Sequence, residues 1–284
     1  MKSMAARYDP VKYKINSMQN WNTVATGYHN NWASKCRGPF GSTAELVSAV
    51  DIRPSNSVLD VACGTGAVSM EIARLLGPTG TLVGIDFSRG ALNIARLSVP
   101  NGHFIEMDVE NMGLTLKFDK ILCQYALMFF PNPARVLRTL YELLKYGGRI
   151  ALAVHGTPEG VPYFSTIMEP VLRHIPDVRP EGTPTVHRFG NAADLKDVIS
   201  SEGFCTISIK EFTFDYDAGT FEEYWSDYMS TTANSIRAII ETKGSGVVSS
   251  IKNEAERKSK QFAKDGRIHF PWQVLIATAR RAQD

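Results

Sequence analysis

Three aspartates stand at the ends of short apolar runs: Asp60 in SVLD (57–60), Asp86 in TLVGID (81–86) and Asp108 in HFIEMD (103–108). Between the first two lies a turn of small residues carrying Gly64 and Gly66. Glycines in such a turn let the backbone approach a ligand closely. After the turn, Val68, Ile72, Leu75 and Leu76 recur at helical spacing. Strand, glycine turn and helix make the first unit of a doubly wound α/β sheet, which binds ligands at the carboxyl ends of its strands. A nicotinamide fingerprint needs G-x-G-x-x-G, but here Gly64-Thr65-Gly66-Ala67-Val68-Ser69 lacks the third glycine. Asp60 would also repel a pyrophosphate, whereas it suits a ligand with ammonium and sulfonium groups. The carboxylate of such a ligand could still use the free N–H groups that open the next helix. Asp86 is a fitting distance downstream for ribose hydroxyls, and Asp108 is placed to accept from an adenine amino group. An ordinary turn with no ligand is the plain alternative for the glycines taken alone.

S-adenosylmethionine carries all of these groups. A fourth strand, FDKILCQ (118–124), runs into the aromatic loop YALMFFPNP (125–133). With WNTVATGYHNNW, DVACGTG, GIDFS, CQYALMFFPNP, YGGRIALAVHG and FPWQVLIATARR, the chain resembles class I S-adenosylmethionine-dependent methyltransferases along nearly its whole length. The likeness is greatest to the group related to ubiquinone and menaquinone-biosynthesis methyltransferases. The resemblance implies a Rossmann-like α/β fold, doubly wound, with seven strands and the last antiparallel between the fifth and sixth. It implies S-adenosyl-L-methionine held by Tyr28, Asp60, Ala62, Gly64, Gly66, Asp86, Phe87, Asp108, Val109 and Gln124. Its N-terminal helix is expected to fold over the methionine end of the cofactor, bringing Tyr28 there by analogy. Tyr125, Met128 and His155 are the candidate substrate pocket, with Phe129 and Phe130 on the same apolar rim, as pocket or as core.

The elements that must position these residues follow in order. Residues 1–20 read as a polar arm, irregular or in short helix, and from Trp21 the residues Val24, Ala25, Tyr28 and Trp32 share a helical face. A second helix is expected over 42–51. Strands and helices then alternate, as in a mostly parallel sheet, with a helix over 132–146, Gly147 as its C-cap and a fifth strand over 149–156. A helix over 165–175 and another to Ser201, capped by Asn191, precede a sixth strand whose apolar parity shifts, predicting a bulge at Lys210-Glu211. Three helices are predicted near 219–229, 231–242 and 246–264, before the final strand. This gives an N-terminal helical lid (1–52), a cofactor core (53–156) and a completing segment (157–284) with insertions at 157–190 and 219–266. The insertions read as substrate-side additions, as a dimer surface or as mere padding. The end segments 21–32 and 219–266 are expected to form a mobile lid.

Methyl transfer requires in-line alignment more than catalytic side chains, with a base only where the acceptor must lose a proton. His155, ending the fifth strand where the resembled family more often shows tryptophan, is the candidate base, or else part of the pocket wall. Gln124 reaches the methionine moiety, the acceptor or the neighbouring loop. The family's nucleic-acid enzymes carry an Asn/Asp-Pro-Pro-aromatic motif that QYALMFFPNP lacks, and 31 basic against 29 acidic residues give no basic field. A small-molecule acceptor is therefore expected, with no nucleic acid, and with homodimerisation open. No metal is expected, since His, Cys and carboxylates show no ligand spacing. Four cysteines without CxxC pairing, no leader-like apolar segment and no run of membrane-spanning length predict a soluble, cytoplasmic protein. Two other functions stay open: a non-catalytic S-adenosylmethionine-binding protein and a nicotinamide-dependent oxidoreductase.

Overall fold

The structure, a computed structural model, describes residues 7–282. Strands β1 (Ser57–Val61), β2 (Thr81–Asp86), β3 (His103–Glu106), β4 (Phe118–Gln124) and β5 (Leu144–His155) are parallel; β6 (Cys205–Gly219), β7 (Ala263–Lys264) and β8 (Arg267–Arg280) complete one mixed sheet. The order is β3-β2-β1-β4-β5-β8-β6, with β7 pairing β8. β8 is antiparallel to both β5 and β6, as expected. The two-residue β7, which has too little sequence to leave a pattern, raises the strand count from seven to eight. In β1, Val58 through Val61 are all buried, because helices cover both faces of a parallel sheet.

The N-terminal arm differs from its expectation. From Pro10 it is helix, continuous as α1 (Pro10–Asn31), and residues 1–6 lie outside the described residues. Asp9 caps it, its Oδ1 accepting from Val11 N at 2.9 Å and Lys12 N at 3.2 Å, and Pro10 opens the first turn. Two short 3₁₀ turns lead to α2 (Thr43–Ser48), a shorter helix than the 42–51 expected. α3 (Ala67–Leu75) buries Val68 and Ile72, while Leu75 faces solvent. α4 (Arg89–Ser98) follows β2. Helix α5 (Pro133–Leu143), capped by Asn132, stops at Leu143. Gly147 is therefore not its C-cap: with φ +72° it serves the bulge where Phe118↔Leu144 pairing shifts to Lys120↔Arg149.

α6 (Pro162–His174) and α7 (Ala192–Ser200, capped by Asn191) precede β6. The bulge predicted at Lys210-Glu211 is absent: pairing with β8 is continuous from Ser208 to Asp217, and the shifts fall at the two ends. The parity change is real but has another cause. Ile207 and Ile209 are half-buried on one face of β6, whereas Phe212, Phe214 and Tyr216 use the opposite face, beside Val274, Trp272 and Phe270 of β8. α8 (Phe221–Ser230), α9 (Asn234–Thr242) and α10 (Ser245–Ser259) form the expected helical insertion. It packs on α6 and the β6–β8 pair through an aromatic cluster in which Tyr163 stands 5.0 Å from Tyr224 and 5.2 Å from Trp272, centroid to centroid.

Candidate active site

A cavity opens over the carboxyl ends of β3, β2, β1 and β4, closed on its outer side by α1. Because the strands lie in that order, their end residues are set in a row: Asp108, Asp86, Asp60, then Gln124. All four line the cavity, together with Tyr28, Ala62, Gly64, Phe87 and Val109.

Asp60 is wholly buried, and its Oδ2 accepts from Ser69 Oγ at 2.6 Å. Its Oδ1 has no hydrogen-bond partner among the described residues. Burial pushes this carboxyl up to about 7; the Ser69 bond opposes the shift, and the charge of Asp86 adds to it. An acceptor left unsatisfied in a cavity wall fits a cationic donor from a ligand. Asp86 accepts from Gly64 N at 2.9 Å and Ser88 N at 2.8 Å, and burial pushes its carboxyl up to about 6 against those bonds. Asp108 accepts from Lys14 Nζ, from Asn111 Nδ2 at 2.6 Å and from Glu110 N at 3.1 Å. Burial acts to raise its pKa, but the Lys14 and Asn111 bonds outweigh it and hold the carboxyl below its usual range.

The two glycines of the turn divide their work. Gly64 has φ +54°, and a Cβ there would meet nothing within 4 Å among the described residues: it leaves open space facing the cavity. Gly66 has φ +90°, but a Cβ would meet Ala95 of α4 at 3.3 Å, and the residue does not line the cavity. Gly66 thus packs closely against α4 and, unlike Gly64, is not among the residues that line the cavity. Ala62 and Tyr125, at the ends of β1 and β4, are non-glycine residues at φ +53° and +54°. Strained backbone of this kind concentrates at functional sites, and both residues face the cavity.

At the β4 end, Gln124 is fixed by α2 and the turn before it. Thr43 Oγ1 donates to Gln124 Oε1, and Gln124 Nε2 donates to Ser42 Oγ, both at 3.1 Å. Ser42 Oγ donates to Pro39 O at 3.0 Å and lies 2.7 Å from the Tyr125 hydroxyl. With its one proton committed, Ser42 accepts from Tyr125. Tyr125, Phe40, Phe129, Phe130, Trp21 and Tyr28 give this end an aromatic wall.

Two expected pocket residues are elsewhere. Met128 is wholly buried in the core and Phe129 and Phe130 take the rim instead. His155 lies behind Tyr125, the rings stacked at 4.1 Å and 14°, and packs against Phe164 and Trp272. Its Nδ1 is unpartnered among the described residues, and burial, then the nearby His187, hold its pKa well below the usual value. A neutral imidazole stacked behind the Tyr125 ring does not itself line the cavity. Its strand-end position was legible, but its depth was not.

Lys14, Tyr13, Ser17, Thr65 and Glu110 also line the cavity and had not been foreseen. The signal for Lys14 and Ser17 was Asp9-Pro10: starting the helix there puts residues 14, 17, 21, 25 and 28 on one face. α1 is bonded to the strand ends at three points. Lys14 reaches Asp108 and Glu110 Oε2 (2.9 Å); Asn22 Oδ1 accepts from Ser88 Oγ at 3.0 Å and Gly90 N at 2.9 Å; His29 Nδ1 lies 3.1 Å from Thr65 Oγ1. The insertion 219–266 supports α1 from outside, through Asn234 Nδ2 to Asn20 Oδ1 and Trp32 Nε1 to Asp227 Oδ2, each 2.7 Å. The cavity-lining residues fall between Tyr13 and Pro131, outside both insertions. Among the described residues no group of three or more His, Cys, Asp or Glu could hold a metal ion, and no helix is long and apolar enough to cross a membrane.

A family model described as a methyltransferase domain matches residues 52–183. A demethylmenaquinone methyltransferase of Oceanobacillus iheyensis is 24% identical over 60% of this chain and 78% of its own length. One of Listeria welshimeri is 30% identical over 46% of this chain, and the chain spans 58% of that relative's length. Phosphoethanolamine N-methyltransferase 2 of Haemonchus contortus, solved with S-adenosyl-L-methionine, superposes with a TM-score of 0.54 at 14% identity, covering 95% of this chain and 57% of that one. The YcgJ protein of Bacillus subtilis superposes with a TM-score of 0.56 at 16% identity, covering 86% and 99%. These two structures share the fold.

Proposed function

We propose that this chain is an S-adenosylmethionine-dependent methyltransferase, a reading supported by the methyltransferase-domain model that matches residues 52–183, and that its acceptor is a small molecule with a flat, electron-rich ring of the hydroquinone type. The observation that carries the reading is the row of three carboxylates ending at an aromatic wall. Asp60, with an unpartnered oxygen beside the open Gly64 turn, fits the ammonium end of the cofactor. Asp86 would hold the ribose hydroxyls, and Asp108 with Val109 the adenine. When bound, S-adenosylmethionine supplies an electrophilic methyl group. The chain's own residues orient the acceptor and exclude water: α1 closes the outer side, and Phe40, Tyr125, Phe129 and Phe130 favour a flat ring over a hydrated one. Burial holds the Tyr28 and Tyr125 hydroxyls protonated well above neutrality, and Tyr125 already donates to Ser42. No side chain on this aromatic wall takes a proton near pH 7, so the ring proton that the methyl group replaces would pass to solvent rather than to a wall residue. The names of the relatives, demethylmenaquinone methyltransferases, agree with such a ring. The free cysteines, two of them exposed, support a reducing compartment, the cytoplasm.

The test is methyl transfer from labelled S-adenosylmethionine to a panel of reduced naphthoquinones, catechols, amines and thiols, with products located by mass spectrometry. A methylated naphthohydroquinone is expected. Methylation of an amine or thiol, with every quinol left untouched, would overturn the acceptor reading.

A further inference from the structure

The three points at which α1 is bonded to the strand ends are eight and seven residues apart, at Lys14, Asn22 and His29. Two turns of helix take about 7.2 residues, so the three side chains lie along one side of α1. They reach three successive strand ends: Lys14 the end of β3, Asn22 the end of β2, and His29 the glycine turn after β1. The helix is a strap laid across the row of carboxylates.

Of the three, only Lys14 bonds one of the carboxylates assigned to the ligand. Asp108 is taken by Lys14 Nζ, Asn111 Nδ2 and Glu110 N, and an ionised carboxylate offers about four lone-pair sites. Lys14, Asp108 and Glu110 all line the cavity. The same ammonium has a second carboxylate at 2.9 Å, Glu110 Oε2. Glu110 is fixed in place, since its Oε1 accepts from Asn132 N at 2.7 Å. We propose that Lys14 is a displaceable internal occupant of the adenine end of the site: ligand takes Asp108 from it, and Lys14 retires to Glu110. This rests on the assignment of Asp108 to the adenine amino group given above. The device offsets part of the negative charge of Asp108 and Glu110 without ligand and keeps the ammonium paired with Glu110 once ligand is bound. It also makes cofactor affinity depend on a partly exposed ion pair, which salt screens, whereas the buried Asp60 partner is screened much less.

The experiment is calorimetric titration of the full chain with S-adenosylhomocysteine at low and high salt, for wild type, Lys14→Met and Glu110→Gln. Lys14→Met is expected to bind about threefold to fivefold more tightly at low salt, the size of a partly exposed ion pair. Wild-type affinity should rise with salt toward that of Lys14→Met, which should itself be nearly salt-independent. Glu110→Gln, which removes the second seat but keeps an acceptor for Asn132, should bind more weakly than wild type. Hydrogen exchange along α1 without ligand should be faster in Lys14→Met. Equal or weaker binding by Lys14→Met, with wild type binding normally, overturns the displacement and leaves the site assignment standing. No binding by wild type or either variant overturns the site assignment, and the displacement with it.

Discussion

Protonation of Asp60 should control cofactor affinity near neutral pH. The carboxyl is wholly buried and pushed up to about 7, with one oxygen bonded to Ser69 and the other unpartnered among the described residues. A ligand ammonium placed against that free oxygen favours the ionised form and pulls the pKa down on binding. The unliganded protein must then release a proton to bind. For a group titrating near 7, the ionised fraction falls from about nine tenths at about pH 8 to about one tenth at about pH 6. Affinity for S-adenosylhomocysteine should therefore drop about tenfold over that interval, or ~1.4 kcal/mol. Near pH 7 binding should release about half a proton, which calorimetry in buffers of different ionisation enthalpy measures directly. Asp60→Asn keeps an acceptor for Ser69 and should bind weakly with no such pH dependence. Stability runs in the opposite sense. A carboxyl raised in the folded state contributes stability that is complete below its unfolded value and lost as pH rises through about 7. The unliganded Tm should thus fall across neutrality, and ligand should restore it. Affinity that is flat across the interval, or a tenfold slope that survives in Asp60→Asn, where Asp86 alone would leave about a twofold one, would refute the reasoning.

Three further substitutions separate residues that touch the ligand from residues that only resemble contacts in sequence. Gly64→Ala puts a methyl into open cavity space and should lower S-adenosylhomocysteine affinity at least about tenfold for ~1 kcal/mol of backbone strain; Gly66→Ala, against Ala95, should cost about 1–3 kcal/mol by denaturant unfolding and leave affinity within about twofold. His155→Gln should lower stability by about 1–3 kcal/mol, the range for a buried polar group without a partner, yet keep cofactor affinity and the pH–rate profile; loss of a limb of that profile would make His155 a base after all.

The parallel half of the fold was legible because helices on both faces demand near-continuous apolar strands, and runs such as VLDV and LVGID carry that demand openly. The three carboxylates were legible for the same reason: a polar residue closing an apolar run marks a strand end. What was hidden depended on a third dimension. Gly64 and Gly66 look alike in the sequence, and only the position of α4 tells a ligand turn from a packing turn. Met128 and Phe129 are neighbours, and the 3₁₀ turn between Ala126 and Phe130 decides which points inward. The apolar switch in β6 looked like an extra residue because the pattern cannot say that the sheet is covered first on one face and then on the other. The first half of α1 was obscured by its polar composition, although its cap was written in Asp9-Pro10.

The placement of β8 has a consequence for how the chain comes into being. Among the described residues β6 pairs with no strand but β8, and β5 has one open edge until β8 fills it. During vectorial synthesis, everything that lines the cavity has emerged long before residue 267 is made. The cavity-bearing half of the sheet can order early, while β6 and the helices that follow it wait for their wedge. Meanwhile the edge of β5, a wholly buried run from Ala151 to His155 in the finished protein, stands unpaired and apolar, the kind of surface on which nascent chains stick to one another. Its protection arrives with the last strand, so slow completion of the carboxyl-terminal segment, rather than any weakness at the ligand, is where assembly of this protein is most exposed.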